Sequence, residues 1–236
     1  MPTILIAGGS GLIGQRLSEL LAQKNYHVIH LSRRENLKAR FPAYAWDLSA
    51  NYIDPKAIEQ ADYVINLAGA GIADRPWTKK RKKLIIDSRV QSNQLLAKTI
   101  QAAGKAKAFI AAAAIGYYGN SGENWVDEES PSPDHGFLTE SCQIWEQTLH
   151  EIADQVPRMV IIRIGIVLST LGGAMEKMLL SFKVRVGTYF GDGRQYYSWI
   201  HIDDLQLPPK DEKTPAKVDY SEPPVFMSSK KSRLQS

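Results

Sequence analysis

The stretch Thr3-Ile4-Leu5-Ile6-Ala7-Gly8-Gly9-Ser10-Gly11-Leu12-Ile13-Gly14 is a short apolar run that enters a glycine-rich turn and leaves it as an amphipathic segment. An uninterrupted apolar run of this length predicts a strand buried on both faces of a parallel sheet. From Leu12 the apolar residues recur near every 3.6 positions, which predicts a helix over 12–23. Glycines 8, 11 and 14 therefore fall at a strand-to-helix junction, spaced G-x-x-G-x-x-G. Gly8 allows a tight turn, Gly11 lets a pyrophosphate approach the backbone, and Gly14 lets the helix pack close to the sheet. The first amides of the helix would face the phosphates. Gly8, Ser10, Gly11, Leu12, Ile13 and Gly14 are thus the candidate dinucleotide residues, the alternative being a glycine-rich βα turn without a ligand.

Outward from this junction the pattern repeats. Strands are predicted over 3–7, 27–32, 63–68, 108–113 and 159–168, with helices over 12–23, 79–103 and 138–153. Short apolar runs alternating with longer amphipathic stretches define an α/β protein with a doubly wound parallel sheet. The expected organisation is a nucleotide-binding domain over 1–170, a substrate-side region over 171–205, and a tail over 206–236. The tail holds five prolines and many lysines and serines, with almost no periodic apolar positions, a composition expected to stay disordered.

The second predicted strand ends at Leu31-Ser32-Arg33-Arg34. Folds of this type that select NAD place an Asp or Glu there, on the ribose hydroxyls. Two guanidiniums and a hydroxyl suit a 2′-phosphate instead, since Arg can bind phosphate through paired hydrogen bonds. Ser32, Arg33 and Arg34 therefore predict NADP(H), the alternative being a solvated loop pair. Asp47 follows a possible short third strand and could accept from an adenine amino group or close an Asx turn. Asn66-Leu67-Ala68-Gly69 ends a strand in small residues, so Leu67, Ala68 and Gly69 could let a cofactor lie across the sheet edge.

Read together, the glycine loop, Asp47, Asn66-Leu67-Ala68-Gly69 and Gly116-Tyr117-Tyr118-Gly119 resemble the extended short-chain dehydrogenase/reductases. Ser32-Arg33, Asp87-Ser88-Arg89, Ala114-Ile115-Gly116-Tyr117-Tyr118-Gly119, Trp145-Glu146, Arg163-Ile164-Gly165-Ile166-Val167-Leu168, Gly172-Gly173-Ala174 and Trp199-Ile200-His201-Ile202-Asp203-Asp204-Leu205 narrow the resemblance. They look like the atypical branch of nucleoside-sugar epimerase-like proteins, over residues 1–205. The resemblance implies a Rossmann fold, an NADP(H) cofactor contacted also by Arg89 and Arg163, and oxidoreductase or epimerase-like action on a small carbonyl or nucleotide-sugar-like substrate. After Leu205 the chain departs from the family pattern, so an incomplete substrate region is expected.

Short-chain dehydrogenases use a Ser, a Tyr and a Lys, the last two as Y-x-x-x-K on one helix face. Here Ala111-Ala112-Ala113-Ala114 stands where the serine is expected, and Cys142-Gln143-Ile144-Trp145-Glu146 where the helix should carry Y-x-x-x-K. An acid in place of the lysine would not lower a tyrosine pKa. Tyr117 and Tyr118 remain candidate proton donors, with aromatic packing as the alternative, and Cys142 is a weaker candidate. Two functions stay open: an enzyme, or a non-catalytic NADP(H)-binding sensor or interaction module.

The chain has 236 residues, 44% hydrophobic and 23% charged, as in a soluble globular protein. A net charge of +4 is too small to argue for nucleic acid. The run Lys79-Lys80-Arg81-Lys82-Lys83 sets five cations after Thr78, a plausible N-cap, and reads as a solvated face or, less readily, as a polyanion site. One cysteine, Cys142, rules out an internal disulfide, and with no signal-peptide pattern a cytoplasmic protein is expected, with no membrane partner. The five histidines show no metal-ligand spacing, so no metal is expected. In His201-Ile202-Asp203-Asp204 a capping Asp is favoured over a catalytic pair.

Overall fold

The structure, a computed structural model, describes residues 1–132, 135–176, 179, 196–205 and 231–232. Strand β1 (Thr3–Ala7) is buried along its whole length. Ile4 and Ile6 join Leu17, Leu21, Val28 and Ile65 on one side of the sheet, while Leu5 and Ala7 join Ile29, Leu31, Leu96, Phe109, Trp145 and Leu149 on the other. Alternate side chains of a strand point to opposite faces, so the four consecutive apolar residues Ile4 to Ala7 are what a strand covered by helices on both sides requires.

Helix α1 (Leu12–Gln23) turns Leu17 and Leu21 to the first cluster. Strand β2 (His27–Ser32) pairs parallel to β1, and β3 (Ala43–Asp47) parallel to β2. The third strand, only suspected from sequence, is therefore present. Two short elements follow that the sequence reading lacked. They are β4 (Tyr52–Ile53), antiparallel to β3, and α2 (Pro55–Glu59), whose Asp54 cap accepts from the Lys56 amide at 2.9 Å.

The chain then crosses to the other side of β1. Strand β5 (Tyr63–Asn66) pairs with β1, β6 (Ala108–Ala114) with β5, and β7 (Met159–Ile164) with β6, all parallel. Helix α3 (Lys79–Ala103) connects β5 to β6 and α4 (Phe137–Glu151) leads to β7. Thr78 caps α3 by accepting from the Arg81 amide, and Gly104, left-handed at φ 65°, ends it. The resulting order, β4-β3-β2-β1-β5-β6-β7, reverses direction between β1 and β5, and the expected doubly wound, Rossmann-type sheet is what the chain forms.

The predicted strand over 159–168 is two strands. β7 ends at Ile164, and β8 (Ile166–Leu168) belongs to a small second sheet with β9 (Tyr197–His201) and β10 (Lys231–Ser232), ordered β10-β9-β8. Gly165 is where the chain leaves the large sheet. A Cβ there would stand 2.7 Å from the Ser198 carbonyl oxygen, so only glycine lets β8 come alongside β9. Of the expected tail, 206–230 and 233–236 lie outside the described residues, as do 177–178 and 180–195 of the substrate-side region. Among the described residues no helix is long and apolar enough to cross a membrane, and no cluster of metal-ligating side chains is found.

Candidate functional site

Two loops meet at the point where the strand order reverses, the place where open α/β sheets leave a crevice at their carboxyl edge. One is the glycine loop after β1, the other the 67–71 segment after β5. Gly8, at φ 83°, lies against the second loop. A Cβ on it would stand 2.8 Å from the Leu67 carbonyl carbon and 2.9 Å from the Ala68 amide nitrogen. The Gly11 amide donates to the Gly8 carbonyl at 3.0 Å, which closes the turn. At Gly14 a Cβ would run into the Gly8 carbonyl oxygen and the Gly9 backbone.

Gly11 differs from both. A Cβ there would approach only its own loop, the Gly8 oxygen at 3.3 Å, and the residue is exposed. It is also the N-cap of α1, with no side-chain cap and no acid in the first turn. The amides of Leu12 and Ile13 thus open the positive end of a 12-residue helix toward solvent beside the crevice. Ser10 is exposed at the turn, and its carbonyl accepts from Gln15 Nε2 at 3.2 Å.

Asn66 holds the second loop. It is buried, its Nδ2 donates to Asn93 Oδ1 at 2.6 Å and Ser92 Oγ at 3.0 Å, and its Oδ1 accepts from the Ala68 amide at 3.0 Å. Leu67 and Ala68 are thereby fixed across from Gly8. Gly69 faces Arg89, whose guanidinium carbon would be 2.9 Å from a Cβ at that position. Arg89 donates through Nη1 to the carbonyls of Ala70 (3.1 Å) and Ile85 (2.9 Å) and stacks 4.8 Å from the Trp145 ring centre. Burial lowers its pKa, and no carboxylate pairs with it among the described residues.

Ser32, Arg33 and Arg34 stand at the end of β2, beside β1. Both arginines are exposed, and neither forms an ion pair among the described residues. The Arg34 amide donates to Ser32 Oγ at 3.3 Å. Asp47 closes an Asx turn: its Oδ1 accepts from the Ser49 amide (2.8 Å), the Ser49 hydroxyl (2.6 Å) and the Ala50 amide (3.3 Å). The Ser49 hydrogen bonds, then that from Ala50, hold the carboxyl below its ordinary pKa.

Arg163 projects from β7 into a polar cluster between β7 and α4. It donates to both Glu146 oxygens, through Nη1 to the Tyr118 hydroxyl at 2.7 Å and to the Glu128 carbonyl at 3.1 Å, and its guanidinium carbon lies 3.8 Å from the Tyr117 ring centre. Burial is the largest single influence on Arg163 and acts to lower its pKa, but its hydrogen bonds to Glu146 and Tyr118 and the charge of Glu146 together outweigh it, so the pKa is raised and the guanidinium stays charged. At Tyr118 burial outweighs Arg163 and raises the phenol pKa, so Arg163 does not produce a tyrosinate at neutral pH. Sequence reading did not join these residues. The available signal was an arginine inside the otherwise apolar Met159-Val160-Ile161-Ile162-Arg163-Ile164, since a charge on a covered strand needs a partner.

Cys142 lies one helical turn before Glu146. Its Sγ would be 3.2 Å from a Cβ on Gly116, and burial pushes its thiol up to about 11. In the 79–83 run three of the five cations have partners among the described residues: Arg81 bonds the Gly71 carbonyl and Asp74, Lys82 lies 4.9 Å from the Phe137 ring centre, and Lys83 pairs with Asp87 at 2.6 Å. At 201–204 the expected capping Asp is replaced by His201, whose Nδ1 accepts from the Asp203 amide at 3.3 Å. Asp203 instead reaches Arg16 of α1 at 2.6 Å, and Gly173 packs on Leu12, which ties the region after β8 to the first turns of α1.

A strand-order reversal flanked by a glycine loop and a small-residue loop defines a Rossmann-type protein of the dinucleotide-fold class. The chain belongs to the NAD dependent epimerase/dehydratase family, whose model matches residues 4–206. It is 37% identical over 201 residues to an epimerase family protein of Mycobacterium bovis, a match covering 85% of this chain and 65% of the relative. The chain thus spans about two thirds of the length of that relative. The crystal structure of the human epimerase family protein SDR39U1 (isoform 2) with NADPH is similar at a TM-score of 0.74 and 35% identity, covering 86% of this chain and 67% of that one. A UDP-glucuronic acid 4-epimerase from Bacillus cereus shares the fold, at a TM-score of 0.72 and 22% identity over 86% of this chain and 70% of that one.

Proposed function

We propose that the chain binds NADP(H) at the β1/β5 crevice and acts as an oxidoreductase or epimerase-like enzyme on a small carbonyl or nucleotide-sugar-like substrate. The observation that carries the cofactor reading is Arg33 with Arg34, two guanidiniums with no ion pair among the described residues at the end of β2, beside a loop whose exposed Gly11 has no side chain to stand between its backbone and a ligand. The donor set fits the group: amides at a helix N-terminus for a pyrophosphate, and guanidiniums for a 2′-phosphate. The human relative whose crystal structure is described with NADPH supports the same choice.

In this reading Gly8, Ser10, Gly11, Leu12, Ile13 and Gly14 form the pyrophosphate cradle, Ser32, Arg33 and Arg34 hold the 2′-phosphate, and Asp47 stands on the adenine side. Leu67, Ala68 and Gly69 floor the crevice, and Arg89 offers an anion-seeking charge beneath Gly69. Once bound, the nicotinamide would supply or accept hydride at C4. Tyr117 and Tyr118 are the candidate proton donors. Because Arg163 can only donate, the Tyr118 oxygen accepts from it and keeps its own proton, and its raised pKa keeps that proton in place at neutral pH. A cytoplasmic setting is part of this reading.

A second reading, a non-catalytic NADP(H)-binding sensor, is favoured by α4, which carries Cys142 and Glu146 where the superfamily carries Tyr and Lys. Titrating NADPH and NADH against the purified chain tests the cofactor. NADPH should bind at least about tenfold tighter, and Arg33→Ala/Arg34→Ala should bring the two to near parity. If neither nucleotide binds below about millimolar, or NADH binds tighter, the cofactor reading is wrong. Following NADPH oxidation over a panel of carbonyls and nucleotide sugars, with Tyr117→Phe and Tyr118→Phe, separates enzyme from sensor.

A further inference from the structure

In β2 the four central residues, Val28 to Leu31, are buried, and one of them is a histidine. The His30 ring lies 5.4 Å from that of Phe41, and its Nε2 is 2.7 Å from Ser18 Oγ on α1. Ser18 is itself fully buried and donates to the Gly14 carbonyl at 2.6 Å. A hydroxyl has one proton to give, and a carbonyl can only accept. With the Ser18 proton on Gly14, the hydrogen between Ser18 and His30 belongs to Nε2. The imidazole is therefore held as the Nε2–H tautomer, donating to Ser18, which in turn donates to Gly14.

His30 also touches the glycine loop directly. A Cβ on Gly9 would clash with the imidazole, 2.4 Å from Cδ2 and 2.5 Å from Cγ and Nε2. Unlike Gly8 and Gly14, which face backbone, Gly9 is a glycine because a side chain occupies its Cβ position. One imidazole thus meets the loop at Gly9 and, through Ser18, the first turn of α1 at Gly14. The amides offered to a pyrophosphate lie between these two points.

We infer that His30 is a positioning residue for the dinucleotide. By fixing Gly9 through contact and Gly14 through Ser18, it sets the angle at which the loop amides meet the pyrophosphate. This rests on the NADP(H) reading and adds to it a side chain that touches no ligand atom. Arg33 and Arg34 follow His30 along the chain but take part in neither the Gly9 contact nor the Ser18 hydrogen bonds, so the effect of His30 should fall mainly on ligands that carry a pyrophosphate.

The test uses the full chain and two ligands, NADPH and adenosine 2′-monophosphate, which lacks the pyrophosphate. NADPH binding by the unaltered chain comes first, and its absence would sink the cofactor reading before any variant is measured. Given that binding, His30→Val should raise the NADPH Kd at least about fivefold while leaving adenosine 2′-monophosphate within about twofold. His30→Gln, which can place an amide donor near the Nε2 position, should recover most of the loss. Gly9→Ala should weaken NADPH binding, and adding His30→Ala should restore part of it, a non-additivity expected of residues in contact. Unchanged NADPH binding in His30→Val, equal losses for both ligands, or strict additivity of the Gly9 and His30 changes would each overturn the assignment.

Discussion

Arg163 and Glu146 meet as a buried, two-pronged ion pair, Nε to Oε1 at 2.8 Å and Nη2 to Oε2 at 2.7 Å, with side chains 11% and 4% exposed. The pair bolts β7 to α4 and aims the remaining nitrogen, Nη1, at Tyr118. Removing Glu146 leaves the largely covered Arg163 charge without its carboxylate. Glu146→Gln is expected to cost about 3–5 kcal/mol by denaturant unfolding. Glu146→Gln/Arg163→Met, which removes both charges, should recover part of that loss. A Glu146→Gln variant as stable as the parent would show that the pair does not hold these elements together.

Cys142 should be chemically quiet in the folded protein. Burial holds its thiol near 11, and it is the thiolate that reacts with alkylating agents and disulfides. At pH 8 a thiol reagent should label the native chain at least about tenfold more slowly than the chain in denaturant, where the pKa returns to about 8.5. Fast native labelling would contradict the burial of this face of α4.

Acid should act first through His30. Burial holds its pKa below the ordinary 6.5, so the unfolded chain takes up a proton there before the folded one does. The histidine's contribution to stability is complete above about pH 6.5 and is lost as pH falls through the folded value. Asp47, Asp62 and Asp127, all held below their ordinary 3.8, add their losses only in stronger acid. The Tm of the parent should therefore fall more between pH 7.5 and 5.5 than that of His30→Gln. Parallel falls would mean that His30 titrates freely in the fold.

Gly8 should tolerate no side chain. Its φ of 83° is a left-handed conformation, and a Cβ would press on the Leu67–Ala68 backbone at 2.8 to 2.9 Å. Gly8→Ala combines backbone strain with a clash against main chain that cannot swing aside, and is expected to cost about 1–3 kcal/mol and to part the two loops. Its Tm and its NADPH affinity should fall together.

How much of this was legible in the sequence depended on where the constraint lay. Strand β1 and the turn after it could be read because burial on both faces forces a continuous apolar run and close approach forces glycine, and both leave marks on single residues. Strand β4 left no such mark: two residues long, it exists through the pairing of Trp46 with Ile53 and Asp47 with Tyr52. The short α2 did carry a signal, Asp54 as cap with Pro55 in the first turn, hidden by its length. Residues 159–168 read as one strand because apolarity does not record a change of sheet, and Gly165 was the only punctuation. In the site, the residues whose backbone faces the crevice were legible, whereas His30 with Ser18 and Arg163 with Glu146 depend on side chains from different elements meeting in space, which no local spacing encodes.

The setting of Gly11 separates two demands that glycine loops normally merge. Gly8, Gly9 and Gly14 are each held to glycine by protein atoms that a Cβ would strike, whereas at Gly11 a methyl group would meet one carbonyl oxygen at 3.3 Å, a tight contact relieved by a shift of a few tenths of an ångström, and no other atom of the described residues within 4 Å, on a backbone at φ −76° that alanine readily adopts. Architecture dictates three of these positions and leaves the fourth to whatever occupies the crevice. A Gly11→Ala chain should thus keep its shape and lose its guest, a ligand-blind twin against which every effect of nucleotide on this protein can be measured.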